Sequence, residues 1–377
     1  MTKTDNTIVI SGAGLWTPEY SVSNEELVAA YNGYAEKFNR ENASAIDAGE
    51  VAAKPQSSAD FIAKASGIRS RFVYSREGLL DIDRMRPYIG PRSNDELSQQ
   101  AEMGLAAAKK AMAAANKKPE EIDAVIVSCA YTQRSYPAIA IEIQEQLGIQ
   151  GFGFDMLVAC SAATFALQRA YEMVAAGTAR CVLAINPELT SPQNNWVDRD
   201  SHFIFGDVAT ATIIEKATSC TSAHSYDILS TKAVTRFSNN IRSNFGHISY
   251  VDDTDPYGPD KFFIQNGRKV FKEVCPMAAE HLTSQLQALG IENSEVNRWW
   301  LHQANINMNV LIGKRLLGRE ATAEEAPIIL DRYGNTASAG SLIAFNLHHE
   351  DLQSGDLGVI CSFGAGYSIG SLVLRKR

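Results

Sequence analysis

The chain has 377 residues, 45% of them hydrophobic, and a formal net charge of −8. That supports one large domain or two fused halves and speaks against a general nucleic-acid or anionic-membrane binder. Its cysteines, Cys129, Cys160, Cys181, Cys220, Cys275 and Cys361, form no C-x-x-C pair, so no zinc spacing and no disulfide framework is expected, and a reducing compartment fits.

Ile8-Val9-Ile10 reads as a first strand ended by a turn at Gly12-Ala-Gly14, which lacks the third glycine and the acidic residue of a dinucleotide site. Met1-Thr-Lys-Thr-Asp-Asn lacks the basic region and long apolar stretch of a signal peptide, so none is expected, and no stretch nears the roughly 18 apolar residues of a membrane span. A cytoplasmic protein is expected. Residues 32–60 are polar and rich in Ala and Ser, and residues 75–95 contain Arg84, Arg86, Pro87, Gly90, Pro91 and Arg92. Both read as loops or short excursions, of the length that forms lids and pocket walls. A helix is expected over Leu97–Ala115, a strand over Ile122–Ala130, and a helix over Ile139–Leu147 closed by Gly148. A strand Phe154–Ala159, a helix Ser161–Ala176 and strands Cys181–Ile185 and Ala209–Ile214 follow.

The second half repeats this order: strand Val296–Leu301, helix Met308–Leu317, strand Ile328–Leu330, helix from Ala339 to Leu352, then strands Leu357–Ser362 and Ser368–Leu374. Landmarks recur at a near-constant offset, Ile122 with Val296 and Asp155 with Asp331, which argues for an internal duplication. Alternating strands and helices imply an α/β fold with largely parallel pairing.

The chemistry concentrates at Cys160. An apolar strand runs into the cysteine and small residues lead into a helix, a place where the helix N-terminus favours thiolate over thiol. Leu301-His302-Gln303-Ala304-Asn305 and Tyr333-Gly334-Asn335-Thr336 lie downstream. A thiolate can take an acyl group from a thioester. A neutral imidazole N–H and an Asn amide can both donate to the carbonyl oxygen of a second thioester, stabilising the enolate left when a malonyl group loses carbon dioxide. The Gly-rich turn Phe363-Gly364-Ala365-Gly366-Tyr367 can add a backbone N–H to that of Cys160 as an oxyanion hole.

These motifs, with Gly67-Ile-Arg69-Ser-Arg71, Phe203-Ile-Phe205-Gly206-Asp207 and Asn266-Gly267-Arg268-Lys269-Val270-Phe271-Lys272, resemble the β-ketoacyl-acyl-carrier-protein synthases of the third type, in the thiolase superfamily. The resemblance implies an α-β-α-β-α layered sandwich of two duplicated halves, 1–220 carrying Cys160 and 221–377 carrying His302 and Asn335. It implies Cys160 as acylated nucleophile and His302 and Asn335 as the decarboxylating pair. The N–H groups of Cys160 and Ala365 would form the oxyanion hole, although many members have glycine where Ala365 stands. Asn305 would bind the pantetheine arm, Phe205 would pack beside the thiol, and Phe271 would line the substrate passage.

Arg268, Lys269 and Lys272, with Lys314 and Arg315, would dock the acidic carrier protein. Tyr136 would cross a homodimer interface to floor the partner's acyl pocket. The substrates would be an acyl-CoA and malonyl-acyl-carrier protein, with no cofactor or metal. Gly78-Leu-Leu-Asp-Ile-Asp-Arg-Met-Arg-Pro87 resembles a divergent subgroup primed by medium-chain acyl-CoA, such as octanoyl.

Related branches separate on sequence. Elongating synthases carry a His where Asn335 stands. Hydroxymethylglutaryl-CoA synthases add a glutamate base, and no candidate for it is visible near Cys160. Thiolases need a second cysteine where Ser362 stands; Cys361, one residue off, faces the other way and reads as core. His202, His224, His247, His281, His348 and His349 show no metal spacing and read as surface or satisfied core residues. A polyketide-type condensing enzyme or acyltransferase, or a non-catalytic partner subunit, are the alternatives, the last opposed by Cys160, His302 and Asn335 together.

Overall fold

The computed structural model describes residues 6–243, 255, 258 and 261–377. Strands β1 (Ile8–Trp16), β4 (Ala124–Cys129), β5 (Phe152–Leu157), β6 (Cys181–Glu188) and β7 (Val208–Lys216) form one half of a nine-stranded sheet, ordered β5-β4-β6-β7-β1. Strands β8 (Tyr226–Ser238), β11 (Val296–Leu301), β12 (Leu357–Gly364) and β13 (Gly366–Lys376) form the other, ordered β11-β12-β13-β8. The second order matches the first with one strand missing. The strand expected at Ile328–Leu330 is instead a turn leading into the four-residue helix α9 (Leu330–Tyr333). There the Gln303 side chain accepts the Ile329 N–H, and Arg332 and Tyr333 donate back to the Ile329 carbonyl. Those backbone groups are therefore spent on the turn and cannot extend a sheet.

Pairing is parallel only towards the two ends of the sheet, β5-β4-β6 and β11-β12. The five central pairs are antiparallel, which corrects the expectation of a largely parallel sheet. Antiparallel closure lets the last strand of each half return directly, as the β12-β13 hairpin does. The halves join where Val9 and Ile10 pair with Asp227 and Tyr226.

Helices α6 (Ala162–Ala175) and α10 (Gly340–Leu347) bury apolar residues against both halves of the sheet at once, from Ile126 and Ile214 to Trp300 and Leu372. Helices α4 (Gln99–Ala115) and α5 (Ile139–Leu147) cover the outer face of the first half. Helices α7 (Gly267–Ala288) and α8 (Ile306–Leu317) cover that of the second. The result is the five-layer α-β-α-β-α sandwich. Gly12 and Gly14 lie inside β1 and form no turn. A Cβ at either would fall 2.4 and 2.2 Å from the carbonyl oxygens of Ala111 and Ala107, so the two glycines allow α4 to press onto the strand.

The cap over one end of the sandwich is more ordered than expected. Within 32–60, α1 (Asn24–Glu41) extends to Glu41, and α2 (Ala43–Asp47) and the start of α3 (Ala59–Ser66) follow. Ser23 and Glu26 cap α1 reciprocally, a device worth about 1 kcal/mol. Residues 75–95 form no helix or strand, as expected. Strands β2 (Tyr20–Ser23) and β3 (Ser70–Val73) pair beneath the cap, and β9 (Ile241–Arg242) pairs with β10 (Ile264–Gln265). Arg71, fully buried, donates to the carbonyl of Val22, the Asn24 side chain and the carbonyl of Phe203. Among the described residues no helix is long and apolar enough to cross a membrane.

Candidate active site

Cys160 sits where β5 ends and α6 begins. Ala159, at φ 45°, opens a one-turn 3-10 helix over Ala159–Ser161. A positive φ in a non-glycine residue costs about 1 kcal/mol or more and marks an imposed turn. The thiol lies between two cavities. One, about 310 Å³, is also lined by His302, Asn335, Asn305, Phe271 and Phe363. The other, about 190 Å³, is lined by Phe205, Ala130, Thr190, Ala337 and Ala365. Cys160, Ile241 and Phe263 border both.

Gly364 faces the cysteine so closely that a Cβ there would lie 2.4 Å from the Cys160 Cβ. The next residue, Ala365, directs its backbone N–H at the sulfur, as Cys160 does with its own. Ser368 fastens this arrangement: its hydroxyl donates to the Ala365 carbonyl at 2.9 Å, and its carbonyl accepts the Ser161 hydroxyl at 2.9 Å.

Burial pushes the Cys160 thiol up to about 12, and the Glu188 carboxyl adds to the rise, against the two N–H groups. The thiolate expected from the helix N-terminus alone is therefore opposed by desolvation and by a neighbouring carboxylate. The neighbouring carboxylate is Glu188, whose two oxygens accept from Ala130 and Ser338. Sequence reading missed it because β6 runs on to Glu188, past its expected end at Ile185.

His302 follows β11 and packs edge-on against Phe363, ring centroids 5.1 Å apart. Burial pushes its imidazole down to about 4, so the ring is neutral near pH 7. Its Nδ1 is buried without a partner among the described residues, which leaves Nε2 for the cavity. Asn335 is held by its backbone, accepting from the Gly206 N–H and donating to the Ile204 carbonyl. Its side-chain oxygen accepts the Ala337 N–H at 3.0 Å, so the amide NH₂ is the end left to donate.

Asn305 lines the same cavity, but its amide donates to the Ala65 carbonyl and its oxygen caps α8. Phe205 borders the second cavity, edge-on to Phe263 at 4.8 Å. Arg268, Lys269 and Lys272 are exposed on the first turns of α7, beside the cavity-lining Gly267, Val270 and Phe271. Lys314 and Arg315 sit at the other end of α8 from the cavity, with Lys314 paired to Glu320. Tyr136 is 85% exposed and lines neither cavity. Cys361 is buried in the core, as expected. His202 and His349, read as satisfied if buried, each keep one buried ring nitrogen without a partner among the described residues. His247 lies outside the described residues.

A thiol at a strained strand-to-helix turn, with two N–H groups converging on it and imidazole and amide donors lining the same cavity, defines a thiolase-like condensing enzyme. Residues 154–235 match 3-Oxoacyl-[acyl-carrier-protein (ACP)] synthase III, and residues 286–376 match the C-terminal part of that family. The Beta-ketodecanoyl-[acyl-carrier-protein] synthase of Pseudomonas aeruginosa is 54% identical over 347 residues, covering 92% of this chain and 99% of that protein. The Beta-ketoacyl-[acyl-carrier-protein] synthase III of Granulibacter bethesdensis is 26% identical, covering 97% and 98%. The fold is that of the 3-oxoacyl-[acyl-carrier-protein] synthase III of Aquifex aeolicus, with a TM-score of 0.75 at 24% identity, covering 98% of this chain and 99% of that one. It is also that of Xanthomonas campestris OleA crystallised with lauric acid and lauroyl-CoA, at 0.73 and 16%, covering 99% and 100%. The chain belongs to the β-ketoacyl-acyl-carrier-protein synthase III family, acyltransferases that perform a condensation in fatty acid biosynthesis.

Proposed function

We propose that this chain joins a medium-chain acyl-CoA, octanoyl-CoA first among them, to malonyl-acyl-carrier protein. The observation that carries the primer length is the 54% identity to a beta-ketodecanoyl synthase. A malonyl unit adds two carbons after losing carbon dioxide, so a ten-carbon product requires an eight-carbon primer. The Cys160 sulfur attacks the primer carbonyl, with the N–H groups of Cys160 and Ala365 stabilising the oxyanion, and coenzyme A leaves as its thiol. The acyl chain then occupies the cavity beside Phe205. Malonyl-acyl-carrier protein enters the other cavity, along Phe271 and Asn305.

Donors on His302 Nε2 and the Asn335 amide stabilise the enolate as the carboxylate departs as carbon dioxide. The carbanion carbon bonds to the acyl carbon, the Cys160–acyl bond breaks, and the thiolate regains a proton. No resident cofactor takes part.

Arg268, Lys269 and Lys272 supply the positive patch that an acidic chain needs for an acidic carrier. Lys314 and Arg315 extend it across α8. The halves 1–220 and 221–377 form one protomer of a cytoplasmic homodimer. Support for the dimer comes from β5, one edge of the sheet, where Phe152 and Leu157 are 42% and 49% exposed, and from Tyr136, 85% exposed.

The test is intact-protein mass spectrometry after incubation with acyl-CoAs from acetyl to dodecanoyl, wild type beside Cys160→Ala. An adduct on wild type alone, strongest near octanoyl, is expected. A clear preference for acetyl-CoA would overturn the primer length, and an adduct retained by Cys160→Ala would overturn the nucleophile.

A further inference from the structure

Glu188 closes β6 with its side chain fully buried. One carboxylate oxygen accepts the backbone N–H of Ala130, which lines the cavity beside Phe205, at 3.1 Å. The other accepts the Ser338 N–H at 3.1 Å and the Ser338 hydroxyl. Ser338 lies in the 3-10 turn Ala337–Ala339 that follows Asn335, and Ala337 holds the Asn335 side-chain oxygen. One carboxyl group thus fastens the wall of one cavity to the turn presenting the amide to the other.

The ionisable groups around it are Asp207 just before β7, Cys129 at the end of β4, Tyr131 just beyond, and Cys160 before α6. Among the described residues no Lys, Arg or His forms an ion pair with it. A buried carboxyl with no cation is costly unless its charge or its proton is used.

We propose that Glu188 is a positioning residue of the condensing reaction, holding the Asn335 turn in register with Cys160 and governing, by its proton, how readily the thiol ionises. This rests on the reading of Cys160 as nucleophile and Asn335 as malonyl-carbonyl donor. Burial holds the carboxyl up to about 7, so it changes charge near neutral pH. The Ser338 hydroxyl can turn from donor to acceptor when the carboxyl takes a proton, so the link survives the change. Above that pH the carboxylate opposes a negative charge on Cys160; below it the opposition lifts.

The experiment follows iodoacetamide labelling of Cys160 by intact mass from pH 6 to pH 9.5, and carbon dioxide release from malonyl-CoA. Wild type, Glu188→Gln and Ser338→Ala are compared, with thermal unfolding of each. The wild-type labelling curve should bend near pH 7. In Glu188→Gln the bend should vanish and labelling at pH 8 should rise about threefold or more. Decarboxylation should fall about tenfold, because an amide cannot accept at both oxygen positions. In Ser338→Ala the bend should persist at higher pH, since the carboxylate loses a donor, with decarboxylation lowered. That shift carries the test if Glu188→Gln does not fold.

Labelling curves that superimpose on the wild type's in every folded variant would overturn the proposal. A merely structural role would lower activity without moving the bend, which also overturns it. A wild type that labels at Cys160 yet releases no carbon dioxide would overturn the condensing reading instead.

Discussion

Cys160 and Ser338 stand at the same point of two turns built alike. Ala159 at φ 45° and Ala337 at φ 47° each open a one-turn 3-10 helix, and each turn feeds a central helix, α6 or α10. They differ in what the neighbouring strand sets against them. At the end of β12, Gly364 leaves a space beside Cys160 that any Cβ would fill. At the end of β6, Glu188 fills the corresponding place and captures the Ser338 hydroxyl. An emptied site leaves a side chain open to two cavities and to the Ala365 N–H. A filled one turns the same backbone design into a fastener. The residue opposite, more than the turn itself, decides which of the pair can react.

The sharpest break of this comparison is Cys160→Ala. Condensation should fall by about 10³-fold or more, and a Cys160→Ala/Ser338→Cys double variant should still take no acyl group by intact mass. An acyl adduct on the transplanted thiol would show that the turn alone suffices. Next is Gly364→Ala, which drives a methyl into Cys160. Acyl transfer should fall about 100-fold, with about 1–3 kcal/mol lost in urea unfolding.

His302 gives a pH test. Its pKa lies near 4 in the folded protein against 6.5 unperturbed, so the unfolded chain takes the proton first as pH falls. Stability is lost between pH 6.5 and 4, by up to about 3 kcal/mol for this ring. Glu188 runs the other way: held up to about 7 against 4.5, it contributes stability present below pH 4.5 and lost as pH rises through 7. Urea midpoints at pH 5 and 7.5 should show a shallower acid loss in His302→Gln than in wild type. The smallest effect is expected from Ser368→Ala, which loosens Ala365 while leaving Cys160 in place. Loss of about one hydrogen bond, ~1 kcal/mol, should slow acylation about fivefold.

Elements with a clear apolar pattern and marked ends were legible. The strand Val296–Leu301 and the helix Ile139–Leu147 have the predicted ends, because buried runs flanked by Gly or polar residues leave little choice. The cysteine, histidine and asparagine were legible for another reason: each sits within a short motif just past an apolar element, Cys160 and Asn335 beside small residues and His302 directly after β11. What escaped was structure stabilised by one face only. β8 is mostly polar and half open along Ser230–Ser238, and α7 carries Pro276 inside it. α1 contains Gly33 and three Asn, and its capping box, Ser23 with Glu26 three residues on, was the signal that could have found it. Strand direction was invisible, since a run of Val and Ile reads the same either way. Glu188 escaped because a charged residue at a strand end ordinarily faces water; contacts with Ala130 and with Ser338, both distant along the chain, hold it inside.

Arg71 bears on traffic through the site. Its guanidinium joins β2, the first residue of α1 and the Phe203 segment, and Phe203 lines the larger cavity. Pulling α1 and the Phe203 segment away from β3 would strip a cation of two of its three acceptors beside an apolar cluster, while Val22, its cross-strand partner, stayed with it. Substrates should therefore thread into and out of a roofed passage, and turnover should be paced by the sliding of a flexible pantetheine arm rather than by the swing of a hinged cover.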